Sequence, residues 1–404
     1  MAETPAFRWH HVTPTCANHL QRFLMRLTLR SSLLAVLAGL AAACSSSDQS
    51  TTPLSVDPGA SLRGSPGAIA VASNATAGNA VMVYSRRANG TLESPVSYAT
   101  GGSGTGGGLG NQGAVTLAGD RRHLLVVNAG SNDLSVFAVA GNTLALTSRV
   151  ASGGMQPISV TEFRGVVYVL NAGGSGNISG FRLDSAGSLS SIAGATQPLS
   201  GTAVGPAQVG FSSSGTVLVV TEKGTNTITL YDVDRNGLAS APRPQPSAGM
   251  TPFGFAFDPR GRLIVSEAFG GAAGASAVSS YAANLSGALQ VRSASIGDTQ
   301  SAACWVGITP NGRFAFVTNT ASGTVSGYRV NGNGTISLIL PDGLSGTTGA
   351  GPIDLSVTPD GGRLFTLDGG ARQLSNFAIR ADGSLEASPA TTGLPVGANG
   401  MAAW

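Results

Sequence analysis

A polar residue, a short gap and a β-rich run closing on an aromatic recur seven times in the chain, and this repeat restricts the fold more than any composition does. The closing aromatics are Tyr84, Phe137, Phe181, Tyr231, Tyr281, Tyr328 and Phe377. Their successive spacings are 53, 44, 50, 50, 47 and 49 residues, a mean of about 49. A period of this size built only from strands and turns predicts an all-β, seven-bladed propeller with four-stranded blades. Such a ring gathers any site at its central channel, but it does not by itself define a reaction.

The fourth repeat shows the strand reading. Pro206–Phe211 alternates, Ser212-Ser213-Ser214-Gly215 turns, and Val217–Val220 reads as a buried strand ending at Thr221-Glu222. Thr227–Tyr231 is a third strand, and Asp234-Arg235-Asn236-Gly237 makes a hairpin. β-branched and aromatic runs bounded by Gly, Pro, Asn and Asp carry strand chemistry, because the turns need fixed or positive φ. The first turn recurs as Asp258-Pro259-Arg260-Gly261, Thr309-Pro310-Asn311-Gly312 and Thr358-Pro359-Asp360-Gly361. The first repeat begins at Ala68-Ile69-Ala70-Val71, which matches a second strand. Gly397–Trp404 matches Gly351–Val357, so the tail is expected to supply the missing first strand, closing the ring and covering its edges.

Residues 1–44 read as a leader. Arg22, Arg26 and Arg30 precede the apolar stretch Leu33–Leu40, which is too short to span a bilayer. Met25 is the expected start. Ala41-Ala42-Ala43-Cys44-Ser45 is similar to a bacterial lipobox, which makes Cys44 a lipidation site and the membrane a partner through that lipid; ordinary cleavage near Ala43 is the alternative. Either route gives an exported protein, periplasmic or anchored at the outer membrane. Residues 45–66 read as a flexible Ser/Thr/Pro-rich tether, and 67–404 as the propeller. The leader holds four Arg and one Glu of the chain's 23 basic and 20 acidic residues, so the remainder is neutral. A neutral body without a basic stripe argues against nucleic acid as a partner. Cys304 is the one cysteine left for the body, which excludes an intrachain disulfide there. A monomer without a cofactor is expected.

The stretches Phe316-Val317-Thr318-Asn319…Thr324-Val325-Ser326-Gly327-Tyr328 and Pro352…Thr358-Pro359-Asp360-Gly361 resemble the seven-bladed lactonase family. That family includes bacterial 6-phosphogluconolactonases and fungal carboxymuconate cyclases. The likeness runs from about Gly67 to Trp404, and Thr251–Ala268 is similar to uncharacterised exported members. It implies lactone hydrolysis or cycloisomerisation. Phosphogluconolactonase-like members carry an Arg-His pair in one inner strand and a Glu just after an Asn in the strand beside it. The matching positions here are Ala207-Gln208 and Lys223, with Glu222 where the Asn stands.

One polar residue follows each second strand: Asn74, Asn128, Asn171, Glu222, Glu267, Asn319 and Asp368. Such a ring would surround the channel mouth. The bland alternative is structural, since Asn and Asp bond to turn backbone, and an amide is a poor acid or base. Glu222 and Glu267 are the candidate acid and base, because converging carboxylates push their pKa values apart. Lys223 and Asp368 are candidate ligand-binding or orienting groups. Lys223 is the only lysine, and it either pairs with an acid or stabilises an oxyanion. Gln208, Phe253, Trp305 and Asp354 lie in first strands and are expected to line the channel, with Asn128, Asn171 and Asn319 as further polar ligand contacts. Ala268–Ser276 lengthens the loop after Glu267 and reads either as a lid or as a tolerated insertion. Asp232–Gly237 mimics the start of a calcium loop, but Arg243 stands where its bidentate Glu should be. Gly102, Gly104 and Gly107 satisfy a dinucleotide pattern with no helix after them, so they read as a linker between the first two blades. His123 is the only histidine after the leader, which leaves no His-based metal centre and makes a Ser-His-Asp triad improbable. The non-catalytic alternative is a cell-envelope protein that uses the rigid disc to bind a small polar or sugar-derived ligand, or another protein.

Overall fold

The computed structural model describes residues 66–404. The leader, Cys44 and all of the tether but Pro66 lie outside the described residues. The described chain forms thirty strands in seven antiparallel sheets. Each sheet is one blade, and its strands follow the chain from the axis outward. The exception is the first blade, whose inner strand is Asn399–Ala403 from the tail.

The tail pairs antiparallel with Gly67–Ala72, matching Val71 with Met401 and Ala70 with Ala402. The Ala68 and Trp404 backbones exchange two hydrogen bonds of 2.8 and 3.0 Å. A blade therefore joins the two ends of the described chain, as the complementary ends of the repeat predict. Gly67 is required at this latch, because a Cβ there would lie 1.9 Å from the Trp404 carbonyl oxygen.

Blades pack face to face, so the second strand of each is covered on both sides. Val217–Glu222, Phe314–Asn319 and Arg363–Asp368 are buried along their whole length. This is why they read as continuous apolar runs and not as alternating ones. The seven closing aromatics all sit in third strands and are at most 3% exposed. Each contributes on the order of 2 kcal/mol by burial. The hydroxyls of Tyr231, Tyr281 and Tyr328 reach polar partners, as when the Tyr231 hydroxyl donates to the Pro198 carbonyl at 2.9 Å. The first turn recurs with Gly215, Gly261, Gly312 and Gly361 at φ between 67° and 79°, a region that favours glycine.

Polar side chains on inner strands clasp the next blade. Gln208 donates to the Phe255 carbonyl at 3.0 Å and accepts the Phe255 N–H at 2.7 Å. Ser159 accepts the Val209 N–H at 3.2 Å, and Asp354 accepts the Met401 N–H at 2.9 Å. These residues share one position in the repeat. Blade five has Gly254 there, with no side chain to offer.

Candidate functional site at the mouth of the channel

The ring of polar residues lies inside the blades and not around an open mouth, which corrects its expected placement. Asn128, Asn171, Glu222, Glu267, Asn319 and Asp368 are 0% exposed. Leaving a buried polar group without a hydrogen bond is costly, and for five of these six, Glu222 being the exception, the neighbouring third strand supplies a partner. Asn128 donates to Ser135 at 2.8 Å, Asn171 to Ser179 at 3.5 Å and Asn319 to Ser326 at 2.8 Å. Asp368 accepts Ser375 at 2.5 Å, Thr366 at 2.7 Å and the Gly349 N–H at 2.8 Å.

The two candidate catalytic carboxylates occupy separate networks. Glu222 accepts the Ser200 N–H at 3.1 Å and the Ser200 hydroxyl. Glu267 accepts the hydroxyls of Ser279 at 2.5 Å and Ser295 at 2.6 Å. Burial raises the Glu267 pKa against those hydrogen bonds, and does the same to Asp368. The side chains expected to line the channel divide. Gln208 and Asp354 serve as inter-blade clasps, whereas Phe253 and Trp305 meet at the axis with ring centroids 5.1 Å apart.

Lys223 joins that aromatic pair. Its Nζ lies 4.5 Å from the Phe253 centroid and donates to the Gly110 carbonyl at 2.5 Å. Burial lowers its pKa to about 8. Cys304 beside it is buried, its thiol pushed up to about 11, which makes it a poor nucleophile.

The partner of Lys223 was not foreseen. Residues 100–114 connect the outer strand of blade one to the inner strand of blade two, and they cross the channel on the way. Asn74 holds the upstream end, accepting the Thr105 N–H at 3.0 Å and donating to the Gly107 carbonyl at 2.7 Å. The Asn111 carbonyl accepts the Trp305 indole N–H at 2.5 Å, and the Asn111 amide donates to the Ile158 carbonyl. The Gln112 N–H reaches the Ala207 carbonyl at 3.1 Å. The Gln112 side chain donates to the Val306 carbonyl at 2.9 Å and accepts the Val306 N–H at 3.1 Å. That pair repeats the Gln208 clasp and supplies across the axis what Gly254 lacks. The sequence signal was present but slight: two adjacent side-chain amides inside a glycine run.

Other expected features are local structure. Asp234 accepts the Asn236 and Leu238 N–H groups, each at 2.8 Å, which makes a hairpin. His123 pairs with Asp120 at 2.7 Å. The long loop of blade five holds the short 3-10 turn Phe269–Gly271. A groove of about 420 Å³ lies at the opposite end of blades two and three, between Asp120, Glu162 and Asp184. Its Glu162 already accepts the Gly119 and Gly165 N–H groups.

A ring of seven four-stranded sheets, latched by its tail and carrying a lysine and two aromatics at its axis, defines a seven-bladed β-propeller. Residues 166–269 match the family model described as Lactonase, 7-bladed beta-propeller, and the resemblance read from the repeats stands. No curated protein matches the chain. Among solved structures it is similar to the periplasmic gluconolactonase of Pseudomonas aeruginosa, at 16% identity and TM-score 0.66, covering 84% of this chain and 99% of that one. A putative 6-phosphogluconolactonase from Bacteroides uniformis gives 18% identity and TM-score 0.67, with the same coverages of 84% and 99%. A protein from Lactobacillus plantarum gives 16% and 0.68, again over 84% and 99%. At these identities the likeness establishes the fold.

Proposed function

We propose that the protein binds a small, oxygen-rich ligand of the lactone class at the mouth of its channel, between Lys223, Phe253 and Trp305. One observation carries this reading: Lys223 Nζ and Trp305 Nε1 each donate to a carbonyl oxygen, on the adjacent residues Gly110 and Asn111, beside two aromatic faces. A lactone offers a carbonyl oxygen to the ammonium, a hydroxyl to the indole N–H and ring C–H groups to the aromatics. The ammonium is also placed to stabilise an oxyanion on the opened carbonyl. The gluconolactonase and phosphogluconolactonase names of similar structures support the same ligand class. The leader-like residues 1–44, with Cys44, and the periplasmic location of one similar protein support an exported, lipid-anchored form.

Turnover, as a hydrolase or cycloisomerase with Glu222 and Glu267 as base and acid, is the second reading. Burial raises the Glu267 pKa, the direction that suits a proton donor, and this favours the reading. Calorimetric titration with a panel of sugar lactones, beginning with D-glucono-δ-lactone, tests the first reading. Saturable binding is expected, weakened at least about tenfold in Lys223→Met by loss of the charge-assisted hydrogen bond. Failure of every lactone to bind overturns it. Hydrolysis followed by pH-stat in wild type and Glu222→Gln tests the second: turnover no faster than buffer, or unchanged in the variant, removes that mechanism.

A further inference from the structure

We infer that residues 106–113 form a displaceable plug, which occupies the ligand position at the channel mouth and is expelled when ligand binds. The inference rests on the lactone-binding reading of Lys223 and Trp305. The plug's own oxygens stand where ligand oxygens are expected, since the Gly110 and Asn111 carbonyls take the hydrogens of Lys223 and Trp305.

The plug is fitted to its place without being built like the rest of the ring. Gly254 leaves the gap that it fills, for a Cβ there would lie 2.2 Å from Gln112 Oε1. Gln112 then clasps Val306 through the same two hydrogen bonds that Gln208 makes to Phe255. The other clasps come from strands of the neighbouring blade; this one comes from a loop. Loops open at lower cost than paired strands do.

Several features weaken the closed state. Gly106, Gly107, Gly108, Gly110 and Gly113 fall within eight residues, and ordering glycine costs more backbone entropy than ordering any other residue. Gly107 and Gly108 are exposed, with nothing within 4 Å of where a Cβ would be. Asn111 is 2% exposed, yet its Oδ1 has no hydrogen-bond partner among the described residues. An orphaned buried carbonyl is costly, and release into water relieves it.

The open state is chemically sound. Withdrawal frees the Lys223 ammonium, the Trp305 indole N–H, the Val306 N–H and carbonyl, and the Ala207 and Ile158 carbonyls. This set of donors and acceptors suits a polyhydroxylated ring, which presents both at every carbon. Thr105 upstream, held by Asn74, and Gly113 downstream, the latter at φ +83°, are the two ends about which the segment swings. Part of the ligand's binding energy goes to expelling the plug, so weakening the plug raises apparent affinity.

Hydrogen exchange read by mass spectrometry tests this on the wild-type protein. The Gln112 amide is expected to exchange by local opening, about 100-fold or more faster than the amides of Ala303–Ile308. Adding D-glucono-δ-lactone is expected to speed exchange across 106–113. Gln112→Ala is expected to tighten lactone binding about tenfold by removing the closed state's main anchor. Gln112 exchanging only with global unfolding overturns the plug, and so does protection of 106–113 by lactone, which would make the segment part of the bound site. Rapid local opening with no lactone bound by wild type or Gln112→Ala supports the plug and overturns the ligand class. If Gln112→Ala fails to fold, the wild-type exchange pattern decides alone.

Discussion

Gly254 and Lys223 are the residues whose substitution separates closure of the channel from its chemistry. A Cβ at Gly254 meets Gln112 Oε1 at 2.2 Å and the Cys304 carbonyl oxygen at 2.5 Å. The first neighbour can yield, but the second is backbone of the adjacent inner strand. Gly254→Ala is therefore expected to destabilise by about 2 kcal/mol through overpacking, measured by urea unfolding. An unchanged midpoint would show that the axis is looser than these distances imply. For Lys223 the expectation concerns pH. Burial places its pKa at about 8, so the ammonium is intact below that pH and is lost above it. Lactone binding should be level at pH 6–7 and fall by up to about tenfold per pH unit above 8; in Lys223→Met that decline should vanish. A wild-type profile flat to pH 10 would remove the ammonium from the site. Lys223 was legible in the sequence as the only lysine. Gln112 was not, because its meaning depends on a gap in a strand 142 residues further along the chain.

Among elements, the tail strand has the clearest consequence. Asn399–Ala403 is the inner strand of blade one, pairs with Gly67–Ala72 and offers the Met401 N–H to Asp354 at 2.9 Å. Trp404 adds an indole hydrogen bond to the Gly141 carbonyl at 2.8 Å. Deleting residues 399–404 exposes the edge of Gly67–Ala72, whose side chains are mostly fully buried, and opens the ring. The truncated protein is expected to aggregate or to lose cooperative unfolding, followed by size-exclusion chromatography and circular dichroism. A monomer with an unchanged transition would mean that the latch is dispensable. The blades and this latch were legible because each element repeats with its turn and its aromatic. The polar residue closing each second strand was legible as a recurring position, but its surroundings were not. A second strand sandwiched between blades buries its last residue too, so Asn128 and Glu267 turn to Ser135 and Ser279. The repeat gives the spacing of these residues and says nothing of which side faces water. The crossing of the channel by residues 106–113 was hidden for another reason: it has no counterpart in the other repeats.

Over the whole molecule, the buried carboxyls set how stability responds to pH. Burial raises the pKa of Asp354 to about 8, and it also raises Glu267, Asp298 and Asp368. In the unfolded chain these groups titrate near pH 4. Above that pH the folded protein holds more protons than the unfolded one, so stability falls as pH rises, for Asp354 until about 8. Lys223 acts in the opposite sense over the next window. Its pKa is about 8 when folded, against 10.5 for an unperturbed lysine, so between these values the unfolded chain holds the extra proton and stability rises with pH. The two windows meet near pH 8, where stability is expected to pass through a minimum, with a higher melting temperature at pH 5 than at pH 8. Asp354→Asn should flatten the fall, since the amide oxygen still accepts a backbone N–H but no longer titrates, while Lys223→Met should flatten the later rise. Melting curves from pH 5 to pH 10 on the wild type and both variants check this. A melting temperature that climbs steadily from pH 5 to 8 would mean that these carboxyls are ionised in the fold, and that their hydrogen bonds, such as those from Ser279, Ser295 and Ser375, outweigh the cost of burying the charge.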